Sequence, residues 1–226
     1  MALTGIALLG FVLVHMVGNL KAYLGPAEMN HYGEGLRDFG TPLFPRSFLL
    51  WVARTGLIGA FAVHIHAAYT LTLMNHRART QKYASQRDYV AANFASRTMR
   101  WSGVIFLLYL VWHLADLTGG WIDPDYVRGD TYNNLVNSLE RPAVAALYVV
   151  ANVALGVHIF HGAWSLFQSL GLNSPRFNQW RLYFARTFAL IIVLGNLSFP
   201  IMVQTKVLSY DQHERDAVVA LHEAGH

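Results

Sequence analysis

Five stretches of nearly unbroken apolar residues divide the chain. The first runs from about Ala2 to Tyr23 and is interrupted only by His15, Asn19 and Lys21. The second covers about Phe48 to Met74, and its part Thr55–Met74 carries no formal charge. As a helix that part would measure about 30 Å, the thickness of bilayer hydrocarbon. The third is Trp101–Thr118. The fourth opens after Arg141-Pro142, a favourable helix start, and continues to about Leu170. The fifth spans about Leu182 to Val207, where Pro200 is expected to introduce a kink. Turn chemistry separates the first two at Gly25-Pro26, Gly40-Thr41-Pro42 and Phe44-Pro45. A basic connection, Asn75–Arg100, follows the second, and an acidic loop containing Asp123, Asp125 and Asp130 follows the third. The pattern predicts an all-α polytopic membrane bundle of five transmembrane helices over residues 1–207, then a polar tail over 208–226. No internal repeat is visible.

Composition supports this and narrows the chemistry. Apolar residues make up 54% of the chain and charged ones 13%, against about a quarter charged in a soluble domain. The net charge of +4 is modest, and no basic–aromatic ladder suggests nucleic acid. The absence of cysteine excludes a disulfide, an iron–sulfur cluster or a covalently attached haem within this chain, so any metal must bind through histidine or oxygen. The N-terminus lacks a basic leader region and a clear small-residue cleavage site, so Ala2–Leu20 is read as a retained span. Two connections on one side contain Arg77, Arg79, Lys82, Arg87, Arg97 and Arg100, then Arg176, Arg181 and Arg186, against the single acid Asp88. That bias predicts a cytoplasmic N-terminus.

Histidines are the expensive residues in this pattern, because an ionisable group at membrane depth needs a partner. His15 falls on the first span, His64 and His66 on the second, His113 on the third, and His158 and His161 on the fourth. A lone membrane histidine is as often a hydrogen-bonded packing residue as a ligand, but four consecutive spans that each offer one are harder to explain by packing. Their depths sort into pairs. His15 and His113 lie within about 5–9 Å of the polar anchors Lys21 and Asp116, whereas His64 and His158 lie roughly 15–25 Å from Arg54 and Arg141. Zinc would want three or four ligands at one depth. Two pairs on four helices suit two planar macrocycles, each gripped from both sides. Small residues flank His64 (Ala60, Ala68) and His158 (Ala154, Gly162), and Gly18 follows His15, but Tyr109 and Leu117 flank His113. The same test does not separate His64 from His66.

In combination these stretches resemble a known family. They are Thr4-Gly5 to Asn19-Leu20, Asn30 to Arg37, His64-Ile65 to Arg79, Arg97-Thr98-Met99-Arg100-Trp101-Ser102-Gly103, His113-Leu114 to Thr118, and His158 to Gly171 with His161-Gly162-Ala163-Trp164. The family is the cytochrome b558 subunit of succinate dehydrogenases and fumarate reductases, a single-chain, five-helix, dihaem membrane anchor. Over about residues 1–205 the resemblance implies two haem b groups. His64 and His158 would ligate the proximal one, and His15 and His113 the distal one. It favours His64 over His66 by the spacing to Asn75, and leaves His161 a structural role. It further implies electron transport in the tricarboxylic acid cycle and respiratory chain, with partner flavoprotein and iron–sulfur subunits, a quinone substrate (menaquinone), surrounding membrane lipid, and room for a higher oligomer of the complex. Some relatives place a buried Glu just before the proximal ligand on span four. Here Gly156 stands two residues before His158, which leaves a proton path of that kind without its carboxylate.

Arg79, Arg97 and Arg100 are candidates for pairing with haem propionates, against a simpler role in topology and lipid headgroups. Asn19, Lys21, Tyr109 and Asp116 ring the distal pair and are candidate groups for a quinone site, although Asp116 could equally be a helix-end acid in water. The tail contains His222-Glu223-Ala224-Gly225-His226, a zinc-protease pattern. Such an enzyme needs a third ligand and a cleft, so the expectation is a solvated helix that binds metal adventitiously. Two other readings compete with the haem anchor. One is the cytochrome b subunit of a different quinone oxidoreductase. The other, from a different class, is a haem-free anchor or transporter using histidines as proton relays.

Overall fold

The computed structural model describes residues 1–78, 90–172 and 174–223, with the side chains of 90–97 and 222 left aside. Among the described residues every regular element is helical. Helix α1 (Ala2–Asn19) continues as a 3-10 turn, Leu20–Leu24, and is followed by α2 (Pro26–Asp38) and α3 (Phe48–Ala78). Helix α4 (Val90–His113) ends in a π-helical turn, Leu114–Thr118. Then come α5 (Thr131–Glu140), α6 (Pro142–Ser169), α7 (Asn178–Gln204) and α8 (Gln212–Glu223). Five of these elements are long and apolar enough to cross a membrane: those containing α1, α3, α4, α6 and α7. The chain is a multi-pass, all-helical membrane protein. Proline opens α2 and α6 at the first turn, where its missing N–H costs nothing. Helix α7 runs as one helix through Pro200, which is buried.

Helix α6 is the hub. It packs lengthwise against α4 and α7, and α1 leans on it from a third side. Two glycines allow the closest approaches. A Cβ on Gly156 would strike Val193 of α7, and one on Gly195 of α7 would strike Met16 of α1. Met16, Leu155, Ile159, Ala189 and Ile192 form the apolar cluster between these helices. Helix α3 differs, since none of its residues is buried and its main neighbours are α1 and α2.

The turn-rich connections hold two helices that hydropathy does not reveal, α2 and α5. Helix α5 is capped by Asp130, whose side chain accepts from Asn133 N at 3.2 Å. Most of α5 is buried, including the polar Asn133, Asn134 and Ser138. It forms a cap over one end of the bundle together with α2 and α8. The tail forms a helix whose surface is mostly exposed, as expected, but one residue fastens it to this cap. Arg215 of α8 is 5% exposed, and its Nε lies 2.9 Å from the fully buried Asp130 Oδ2. Asp130 also accepts from Asn30 Nδ2 at 3.1 Å and Asn133 Nδ2 at 2.8 Å. The physical reason is local: the buried carboxylate at the start of α5 needs a cation, and Arg215 supplies it. The His222-to-His226 pattern lies outside the described residues apart from the backbone of 222 and Glu223.

Candidate functional site

Four spans bring four imidazoles together as two facing pairs. His15 of α1 and His113 at the end of α4 have ring centroids 5.8 Å apart, near the capped end. His64 of α3 and His158 of α6 are 6.4 Å apart. The pairing predicted from depth is therefore the pairing found in space.

In each pair the Nδ1 atoms are taken up by neighbours. His64 Nδ1 lies 3.2 Å from Thr4 Oγ1, whose own proton goes to Met1 O at 2.9 Å. His158 Nδ1 lies 3.4 Å from Ser102 Oγ, whose proton goes to Met99 O at 3.1 Å. His113 Nδ1 lies 3.3 Å from the Tyr148 hydroxyl, which donates to Asp116 Oδ2 at 3.5 Å. A hydroxyl whose hydrogen is committed elsewhere can only accept from the imidazole. It therefore holds the proton on Nδ1 and leaves Nε2 with a free lone pair. At His15 the Asn19 side-chain Nδ2 lies 2.8 Å from Nδ1, and a flip of the amide, whose two ends have the same shape, would bring its oxygen there as the acceptor.

This donor set fits an axially ligated metal macrocycle. Two imidazoles bound through nitrogens at about 2 Å on either side of one metal put their ring centroids roughly 6 Å apart, and metal-bound histidines commonly donate the other N–H to a fixed acceptor. Glycines keep the rings uncrowded. A Cβ at Gly103 would sit 3.4 Å from His158 Cε1, one at Gly5 would sit 4.0 Å from His64 Cε1, and one at Gly162 would meet nothing within 4 Å. Among the described residues no group of three or more His, Cys, Asp or Glu side chains could share one metal, so a closed zinc centre lacks its donors.

The remaining histidines separate from these four. His66 is exposed, as expected two residues (about 200°) around the helix from His64. His161 is 6% exposed, with Nε2 turned to Thr98 Oγ1 at 3.3 Å, so the nitrogen a metal would use is already engaged.

Other candidates find more local roles. Asn19 holds His15, and Tyr109 packs on His113 at 5.6 Å and edge-on to Tyr148 at 5.0 Å. Asp116 is no helix-end acid in water. It is fully buried, 2.6 Å from Arg141 Nη2, and also accepts from Ser138. Lys21 stays half-exposed, its Nζ 4.0 Å from Glu28. At the opposite, basic end Arg100 is exposed and its Nη1 lies 3.1 Å from His76 Nε2. Arg79 and the side chain of Arg97 lie outside the described residues. Sequence reasoning missed Thr4, Ser102 and Tyr148 as imidazole partners. The first two sit inside the family-like stretches, but Ser102 is 56 positions from the ring it touches, and no local pattern encodes that contact.

Comparison with protein families gives a match. The model described as succinate dehydrogenase/fumarate reductase transmembrane subunit matches residues 74–197, which include His113 and His158. No curated protein and no solved structure matches the chain. The family match takes in more than half of the sequence and runs through three of its spans. The chain belongs to the succinate dehydrogenase/fumarate reductase transmembrane subunit family.

Proposed function

We propose that this chain is the dihaem cytochrome b anchor of a succinate:quinone oxidoreductase, with His64 and His158 as axial ligands of one haem b and His15 and His113 of the other. One observation carries the reading: two pairs of imidazoles from four different spans face each other with Nδ1 engaged and Nε2 available. Haem b, when bound, supplies reversible one-electron transfer. The residues do the rest. Thr4, Ser102, Tyr148 and Asn19 fix the tautomer and aim of each ring, and the apolar spans exclude water from it. Arg100, with Arg79 and Arg97, serves the basic end, where propionates and the iron–sulfur subunit would be met. The flavoprotein subunit beyond it carries the succinate chemistry. On this reading the basic end and the N-terminus face the cytoplasm of a bacterium. A quinone, menaquinone by preference, reacts at the capped end near His15 and His113. Lys21 is the hydrogen-bond donor there whose side chain remains accessible.

The test is haem content. The dithionite-reduced spectrum of the purified complex should show b-type α-bands at two haems per chain. His64→Ala and His158→Ala should lose the same haem, and His15→Ala and His113→Ala the other. Unchanged stoichiometry in all four variants refutes the ligand assignment.

A further inference from the structure

The four imidazole partners are not equivalent. Thr4 and Ser102 donate hydrogen bonds to backbone carbonyls, and Asn19 is a neutral amide, but Tyr148 donates to a carboxylate. That carboxylate, Asp116, sits in the π turn Leu114–Thr118 immediately after His113, a turn geometry found frequently at functional sites. Its surroundings are specific: Oδ1 is 2.6 Å from Arg141 Nη2, while Oδ2 takes the Ser138 hydroxyl and, at 3.5 Å, the Tyr148 hydroxyl. Arg141 and Ser138 alone would satisfy a purely structural buried acid. The additional approach of Tyr148, whose hydroxyl is 3.3 Å from His113 Nδ1, joins the anion to one imidazole and to no other of the four.

We infer that Asp116 is a positioning residue for the His15/His113 site, acting through Tyr148 to orient the His113 ring, enrich it in electrons and lower the reduction potential of the iron held there. The inference rests on the haem reading above. Its chemistry is that of an imidazole N–H bonded to an acceptor which an anion polarises. Such an imidazole is a stronger donor to its metal and favours the oxidised state. The charge of Asp116 acts in the same direction, screened in part by Arg141. Tyr109 lies tilted beside the same ring with centroids 5.6 Å apart, and His15 faces it at 5.8 Å.

The experiment is an optical redox titration of the assembled complex carrying Asp116→Asn, Tyr148→Phe, or both. Asp116→Asn should raise the midpoint of one haem and leave the other unchanged, with both haems retained. Tyr148→Phe should raise the midpoint of the same haem. The double variant should shift it no further than the larger single shift, because the two residues act in series. Asp116→Glu should restore part of the potential. The low-spin signals of that haem in electron paramagnetic resonance should move along with its potential. Midpoints unchanged in both single variants, or shifts that simply add, overturn the inference while leaving the ligand assignment intact. A wild-type complex without two haems removes the reading on which it rests.

Discussion

The hydroxyls that hold the His64/His158 pair differ in what happens when they are removed, and the difference can be worked out from their neighbours. In Thr4→Val the side-chain volume is kept, but the hydroxyl acceptor facing His64 Nδ1 is lost. A neutral hydrogen bond contributes about 0.5–1.5 kcal/mol and an N–H left unpaired costs about 1–3 kcal/mol. Because metal sites lose about 10–100-fold in affinity when such a supporting contact goes, a loss near the middle of that range follows, about 2 kcal/mol. Ser102→Ala removes the matching acceptor on His158, but Met99 O loses its own donor at the same moment. The freed Met99 carbonyl, which accepts from Ser102 Oγ at 3.1 Å in the intact site, then offers the His158 ring a replacement acceptor. The expected cost is at the low end, about 1 kcal/mol or fivefold. Haem transfer from the detergent-solubilised complex to excess apomyoglobin measures both. Thr4→Val should release one of its two haems faster than Ser102→Ala does, and both faster than wild type. The reverse order, or release from the His15/His113 site instead, refutes the reasoning about tautomer control.

Three further outcomes follow from the packing. Arg215→Met should strand the buried Asp130 carboxylate and loosen α8 by about 3–5 kcal/mol. This would be read as rapid proteolysis after residue 207, and Asp130→Asn in the same chain should restore much of the protection; wild-type resistance in the single variant would contradict the buried pairing. Gly156→Leu should lower thermal stability by about 1–3 kcal/mol, since its Cβ collides with Val193, and an unchanged melting temperature would mean that α6 and α7 are not in close contact there. Lys21→Gln should raise the quinone KM about tenfold, the worth of a hydrogen bond from a charged donor, with both haems kept, and an unaltered KM excludes Lys21 from the quinone site.

The spans were legible because membrane burial imposes one demand, uninterrupted apolarity, which sequence displays directly. The histidine pairs were legible because a costly residue at a given depth has few places to find its partner. His64 and His66 could not be told apart by their small flanking residues, yet helix rotation separates them at once: one faces α6 and the other is exposed. The capped end was less legible, for the opposite reason. Asn133, Asn134, Ser138 and Arg215 look like solvent-facing residues, and their burial depends on one another across 81 positions of sequence, as in the contact of Arg215 with Asn134. Gly156, which in the sequence registered as a missing carboxylate, gains a positive role where α6 and α7 touch. A Cβ there would collide with the Val193 side chain of α7.

The two imidazole pairs are interleaved along the chain, the first span with the third and the second with the fourth. Synthesis proceeds from the N-terminus, so the ribosome releases both early halves before either late half exists. On the proposed haem reading, neither group could be held from both sides while the nascent chain is shorter than His113, and the second would wait for His158. The order of the spans thus sets the order in which the two ring pairs can form: His15 with His113 first, His64 with His158 only once α6 has been made.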